Sequence, residues 1–276
     1  MKISEAAASW LLRLDPKGSF READRRTVVG AISHVRAVTA HQILEREGGL
    51  PGSAMVPVTA FLCRSKETAS GHRQIVSLSL PGELLIDDYA TNGELDYSIE
   101  VSSAGWVAMV PLRTLASLAR GSERLRLALA YAARQDNAIA REWVVNLGSR
   151  SARARLAHLF CEIVWRLGAA HLVAGNRCHI PLSQETLANA TGMSPVHCNR
   201  SLQWLRRQKL LRFDNGVLYL DNIAALNEVA EFDPAYLERS YSAQFVEQSR
   251  ERSEAAFGNE FLPKTGVEGM TDSLNR

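Results

Sequence analysis

Residues 183–212 read SQETLANATGMSPVHCNRSLQWLRRQKLLR, and their punctuation predicts two short helices joined by a tight turn. Ser183 stands before the apolar positions Leu187, Ala188 and Ala190, where its hydroxyl can cap orphan backbone donors. Gly192 lets the chain turn, because only glycine takes a left-handed conformation without steric cost. Ser194-Pro195 follows as a cap with proline at the first helical position, where a missing N–H costs nothing. Cys198, Leu202 and Leu205 then fall at i, i+4 and i+7 as an apolar stripe. Asp214-Asn215-Gly216 signals a hairpin after the second helix. This is the layout of a winged helix-turn-helix, whose second helix fits the DNA major groove.

The opposite face of the second helix carries Val196, Asn199, Arg200 and Gln203. Arg and Asn match guanine and adenine edges in the major groove, so Val196, His197, Asn199 and Arg200 are the expected base contacts. Ser183, Gln184 and Arg206 are the expected phosphate contacts that set register. Between Pro181 and Arg212 five cations (Arg200, Arg206, Arg207, Lys209, Arg212) face one acid, Glu185, which suits a phosphate backbone. An αα-hairpin packed only for stability, with a solvated polar face, is the plainer alternative. Double-stranded DNA is the expected partner.

The chain of 276 residues has room for two domains, and its 46% hydrophobic and 22% charged content is that of a globular protein. A net charge of +2 means that nucleic-acid affinity must come from a local patch. No apolar run approaches the roughly 18 residues of a membrane span. The start, MKISEAAASWLLRL, lacks the h-region and cleavage site of a secretory signal. Four cysteines at 63, 161, 178 and 198 have no close pairing, so a reduced cytoplasmic protein is expected. P-loop, G-x-G-x-x-G, G-x-S-x-G and H-E-x-x-H motifs are all missing, and no catalytic residue, cofactor or metal is assigned.

Between Val38 and Pro111, Val56–Cys63, Gln74–Leu80, Tyr97–Val101 and Trp106–Val110 read as strands separated by Gly and Pro turns, a β-sandwich or barrel pattern. From Leu112 to Leu167 the chain reads as helix. Leu125, Leu129, Ala132, Asp136, Ile139, Trp143 and Asn146 alternate spacings of four and three, a heptad seam. Leu125, Leu129, Ala132, Ile139 and Trp143 are accordingly the expected dimer interface, the alternative being a helix packed on its own β domain. Leu147-Gly148-Ser149 is the expected hinge. A further helix, Ala152–Leu167, leads into the DNA unit, and Asn222–Val229 is a candidate for another. The expected organisation is a sensor at 20–121, a dimerisation helix at 122–147, a winged helix-turn-helix at 148–225 and a disordered tail at 240–276.

Together these parts resemble the Crp/Fnr superfamily of bacterial transcription regulators, over roughly residues 20–225. The resemblance is strongest in LSQETLANATGMSPVHCNRSLQWLRRQKLL (182–211). It extends to EREGGLPG (45–52), GHRQIVSLSLPGELL (71–85) and EWVVNLGSRSARARLAHLFCEIVWRL (142–167), the last two looking like an alphaproteobacterial subgroup. It implies an α+β fold with a cyclic-nucleotide-binding-like β-roll, a homodimer on palindromic operators, a small signal and RNA polymerase as a further partner. A helix-turn-helix protein-interaction module without DNA binding is the alternative function.

The resemblance also locates a degenerate cyclic-nucleotide site. Pro81-Gly82-Glu83 occupies the family's turn, but Ile86-Asp87 replaces Gly-Glu and Tyr97-Ser98 replaces Arg-Ser. Tyr cannot supply the bidentate cation that a buried phosphate prefers, and Asp87, Asp88 and Asp96 oppose an anion. The effector is therefore left unassigned. No cysteine precedes Cys63, which excludes the usual iron–sulfur sensor. His158, Cys161, His171, Cys178 and His179 lack zinc-site spacing and read as core or loop residues.

Overall fold

The Gly- and Pro-punctuated segment folds as two facing antiparallel sheets in the computed structural model, which describes residues 1–16, 18–85 and 93–238. Strands β1 (His34–Val38), β7 (Gly105–Pro111) and β3 (Ser53–Pro57) form one sheet in that order. Strands β2 (Ile43–Glu45), β6 (Ser98–Ser103), β4 (Phe61–Glu67) and β5 (Arg73–Ser79) form the other. Side chains alternate across a strand, and in the central strands β3, β4 and β7 most residues of both faces are buried. Met55, Leu62, Ile99, Val107 and Met109 fill the space between the sheets. Ala54, Val56, Ala108 and Val110 point outward onto helices α1 (Ile3–Leu14), α2 (Glu22–Ala31) and α3 (Leu112–Gly121). Helix α1 lies ahead of the expected sensor boundary at residue 20, yet Ala6, Ala7 and Trp10 are fully buried in this same core.

The expected strand Val56–Cys63 is two strands. Pro57 has no N–H to continue the ladder, and the chain turns after it. The Val58 and Thr59 N–H groups both reach the Trp106 carbonyl, at 2.8 and 3.3 Å, before β4 begins.

Helix α4 (Glu123–Ser149) runs 27 residues, about 40 Å at 1.5 Å per residue. The break expected at Leu147-Gly148-Ser149 comes later, at Arg150, which has extended backbone. An exposed glycine costs a helix only about 1 kcal/mol. The stop comes instead from Ser151, whose hydroxyl caps the next helix, α5 (Ala152–Ala169), by accepting from the Ala154 N–H.

The seam expected to face a second subunit is buried within the chain. Leu125 and Leu129 pack into the core of α1–α3 and the roll. Ile139 and Trp143 pack against α5 and the outer face of β4 and β5. Asn146 is also buried, donating to the Arg155 carbonyl at 3.2 Å, and Ala132 is half-buried beside Trp10 and Leu84. The periodicity is real, but its apolar face is used by the chain's own two domains. A different stripe on α4 stays exposed: Leu127, Tyr131, Val144 and Val145, with Ala130 and Arg141 between them.

Beyond α5 come β8 (Val173–Ala174), β9 (Arg177–His179), α6 (Gln184–Thr191), α7 (Pro195–Arg207), β10 (Leu211–Asp214) and β11 (Val217–Leu220). The four strands make one sheet, ordered β10-β11-β9-β8, and Asn215-Gly216 closes the β10–β11 hairpin. Both turn residues have positive φ, +48° and +73°, as a type I′ turn requires. Helix α8 (Ile223–Ala230), capped by Asn222, lies on α5. Glu231 then takes φ +49°, Phe232 and Leu237 enter the core, and the short α9 (Ala235–Glu238) packs back on α4. The tail expected at 240–276 lies outside the described residues.

Candidate nucleic-acid interface

Capping chemistry builds this unit as the sequence spells it. The Ser183 hydroxyl accepts from the Thr186 N–H at 3.0 Å, and the Ser194 hydroxyl from the His197 N–H at 3.3 Å. Gly192 closes α6 in the left-handed region at φ +60°, and its N–H bonds to the Ala188 carbonyl. Cys198, Leu202 and Leu205 are buried against α5 and the wing. This pins α7 with Val196, His197, Asn199 and Arg200 facing solvent. Val196 is 63% exposed, a rare position for a branched apolar side chain.

The polar residues are not equally available. Arg200 is exposed on this face of α7. Asn199 donates from Nδ2 to Gln184 Oε1 at 3.2 Å, which ties the two helices together across the turn. Ser183 is already committed to its cap and to Thr186 Oγ1 at 2.9 Å. Arg206 donates to the Phe213 carbonyl at 3.0 Å, fixing the end of α7 to the hairpin while the side chain stays exposed. Arg212 is spent on Asp221 at 3.0 Å and stacks over Tyr219, so it adds little net charge. Arg207 and Lys209 remain exposed beside it, and Arg177 on β9 adds a cation that the sequence reading did not include.

A buried ion network holds this unit against the roll. Arg166 of α5 is almost fully buried and reaches Glu83 at 2.5 Å, Glu162 at 2.8 Å and the Leu78 carbonyl at 2.6 Å. Burial opposes ionisation of Glu83, but Arg166 and Arg13 outweigh it and hold its carboxyl below the usual range. Glu162 also accepts from Trp143 Nε1 at 3.1 Å and from the Tyr236 hydroxyl at 2.8 Å. Removing one member of such a network leaves an uncompensated buried charge, at a cost of about 3–5 kcal/mol. Gln74 of β5 adds a bond to the Asn189 carbonyl of α6 at 2.7 Å. Sequence reading singles out Trp143 and Glu83 for other reasons and leaves Arg166, Glu162, Tyr236 and Gln74 unmarked, although Glu162 and Arg166 stand four apart in the apolar second half of α5, the spacing of a buried pair.

The roll contains a buried cation that the sequence reading missed. Arg64 of β4 is aimed at α4, with Asp136 Oδ2 at 2.6 Å and Ser77 Oγ at 3.3 Å, and it lies 5.3 Å from the Tyr97 ring centre. Its charge is met by the chain's own carboxylate. Ser98 accepts from the Glu47 N–H, while Ile86, Asp87 and Asp88 lie outside the described residues. All four cysteines are buried, and desolvation pushes Cys178 up to about 12 and Cys198 to about 11. Such thiols are poor nucleophiles and poor ligands. His158 is buried in the α4–α5 junction beside Glu142, and His171 and His179 are exposed. Among the described residues no three His, Cys, Asp or Glu side chains group as metal ligands, and no helix is long and apolar enough to cross a membrane.

Residues 154–229 match the model of the Crp-like helix-turn-helix domain. No curated protein matches the chain. Among solved structures, the chain is similar to FixK2 from Bradyrhizobium japonicum, with a TM-score of 0.64 at 20% identity over 71% of this chain and 96% of that one. It is similar to TTHB099, a CRP-family transcriptional regulator from Thermus thermophilus, with a TM-score of 0.55 at 18% identity, covering 71% and 97%. TTHA1359, a CRP/FNR-family regulator from the same organism, gives 0.51 at 18%, covering 72% and 99%. At these identities the likeness is one of fold. Residues 154–229 are thus similar to a Crp-like helix-turn-helix domain, and the α+β fold of the chain, with a cyclic-nucleotide-binding-like β-roll ahead of that domain, resembles the fold of these CRP-family structures.

Proposed function

We propose that the chain is a cytoplasmic DNA-binding transcription regulator, not an enzyme, that acts as a homodimer on palindromic operators. The observation that carries this is the exposed N-terminal half of α7, presenting Val196, His197 and Arg200 beside the cations Arg206, Arg207 and Lys209. Val196, His197, Asn199 and Arg200 meet base edges, and Arg206, Gln184 and Ser183 meet phosphates, with Asn199 and Ser183 sharing the bonds they already make. A two-fold dimer would match a palindrome, and the exposed Leu127, Tyr131, Val144 and Val145 on the outer side of α4 are the surface through which a second subunit would dock. Leu127, Tyr131, Ala138 and Val145 share a four-three register with Arg134, Arg141 and Gly148, so this face is apolar with two arginines set into it. Half-sites would then lie about one DNA turn, 34–36 Å, apart. RNA polymerase is the partner through which such a dimer would act.

Cyclic nucleotides are not the signal in this reading, since Asp136 already neutralises Arg64 within the roll. Calorimetry with cyclic AMP is expected to show no binding tighter than about millimolar. Selection of bound duplexes from a random pool, using the full chain, tests the function itself. Enrichment of a palindrome with half-sites about ten base pairs apart is the expected result. A chain that enriches no duplex and holds a protein partner regardless of salt would be an interaction module instead.

A further inference from the structure

Resting on the reading of α7 as the helix that enters the major groove, we propose that Val196 reads the 5-methyl group of a thymine within two base pairs of the guanine taken by Arg200. Val196 is the most exposed apolar side chain of the helix-turn-helix. It is held there by the Ser194 cap and by Pro195 at the first helical position, so its direction is set before any DNA arrives. Exposed valine gains by leaving water. The only apolar group on the major-groove floor is the thymine methyl.

The neighbours narrow the choice. Asn199 turns its amide towards Gln184, so in the first two turns of α7 the exposed polar side chains directed away from α6 are His197 and Arg200, with Gln203 one turn further on. Val196 and Arg200 are four residues apart and share one face of the helix. Their Cα atoms are separated by about 6 Å along the axis, less than two base steps of about 3.4 Å. The methyl group and the guanine must therefore be close neighbours in the half-site. The polar alternative at this position, a carboxylate accepting from cytosine, is not available to a valine.

The test uses the operator selected by the full chain. The guanine read by Arg200 is first identified as the one whose preference is lost in Arg200→Ala. Each thymine within two base pairs of it is then replaced by uracil, which removes the methyl group alone. At one such position per half-site the parent is expected to lose affinity by about threefold to tenfold. Val196→Ala is expected to bind the thymine and uracil operators equally, and to melt with the parent because the side chain is exposed. Equal uracil sensitivity in the parent and in Val196→Ala would overturn the assignment, as would an operator with no thymine in that window. Both of those outcomes leave DNA binding standing. Failure to enrich any duplex would sink that reading and this one together.

Discussion

The helix-turn-helix unit and the long helix α4 both announce themselves by apolar residues at helical spacing, but only in the first does the spacing also say what the residues touch. In α6–α7 the caps Ser183 and Ser194, the left-handed Gly192 and the Asn215-Gly216 turn fix the chain's path locally. Once that path is fixed, one face of α7 is core and the other is solvent. In α4 no turn or cap falls within 27 residues, and apolar side chains line two nearly opposite faces. The stripe with the larger side chains is the one that packs within the chain, joining the roll to α5. Periodicity therefore marks a buried face without naming its partner.

The sharpest way to break this comparison is to charge the inner stripe. Ile139→Asp would bury a carboxylate among Trp143, α5 and β5, with an expected loss of about 3–5 kcal/mol in folding stability. Thermal melting should show the loss at any protein concentration. A variant that keeps its melting temperature but sediments as a monomer would return Ile139 to the subunit interface.

The second test concerns the junction where α4 hands over to α5. His158, with Nε2 at 3.3 Å, and Arg150, at 2.7 Å, hold the Glu142 carboxyl at about 2 against an ordinary 4.5. A depressed carboxylate stabilises the fold above its unfolded pKa, and that stability drains away as pH falls from about 4.5 towards 2. The contribution is roughly 2–3 kcal/mol, discounted for partial exposure. Denaturant melts of the parent and of Glu142→Gln should converge in that acid window and separate above it. Parallel curves throughout would show that the pairing contributes nothing.

At the DNA surface the expected effects are smaller. Arg200→Ala should lose roughly 1–3 kcal/mol of base discrimination while folding normally. Arg206→Ala should weaken all sequences alike and flatten the salt dependence, although its bond to the Phe213 carbonyl ties part of its effect to the hairpin. Binding titrations across salt and sequence separate the two. A specific operator bound equally well by Arg200→Ala would move the reading face elsewhere on α7.

How much was legible in advance follows the same division. Caps, turn glycines and hairpin signals are short-range, and the α5-to-wing segment reads from them almost residue by residue. The roll was legible as strands and turns, but Pro57 splits one expected strand, and the N-terminal helix that covers it carries no motif. The contacts that join the two halves, Arg166 with Glu83, Gln74 with Asn189 and Arg64 with Asp136, span 72 to 115 positions. No local pattern specifies pairs so far apart. The same distance hid the true character of Leu125, Leu129, Ile139 and Trp143, whose partners lie in other elements.

The central claim is that two copies pair through the outer face of α4 and so present two α7 helices to one operator. Val145→Cys places a thiol on that face, and the four native cysteines are buried, so background cross-linking should be low. Mild oxidation is expected to give a disulfide-linked dimer that still binds the selected palindrome, while Leu129→Cys, inside the chain's own core, stays uncross-linked. Cross-linking through Leu129→Cys with none through Val145→Cys, or a Val145→Cys chain that binds the operator only as a monomer, would contradict it.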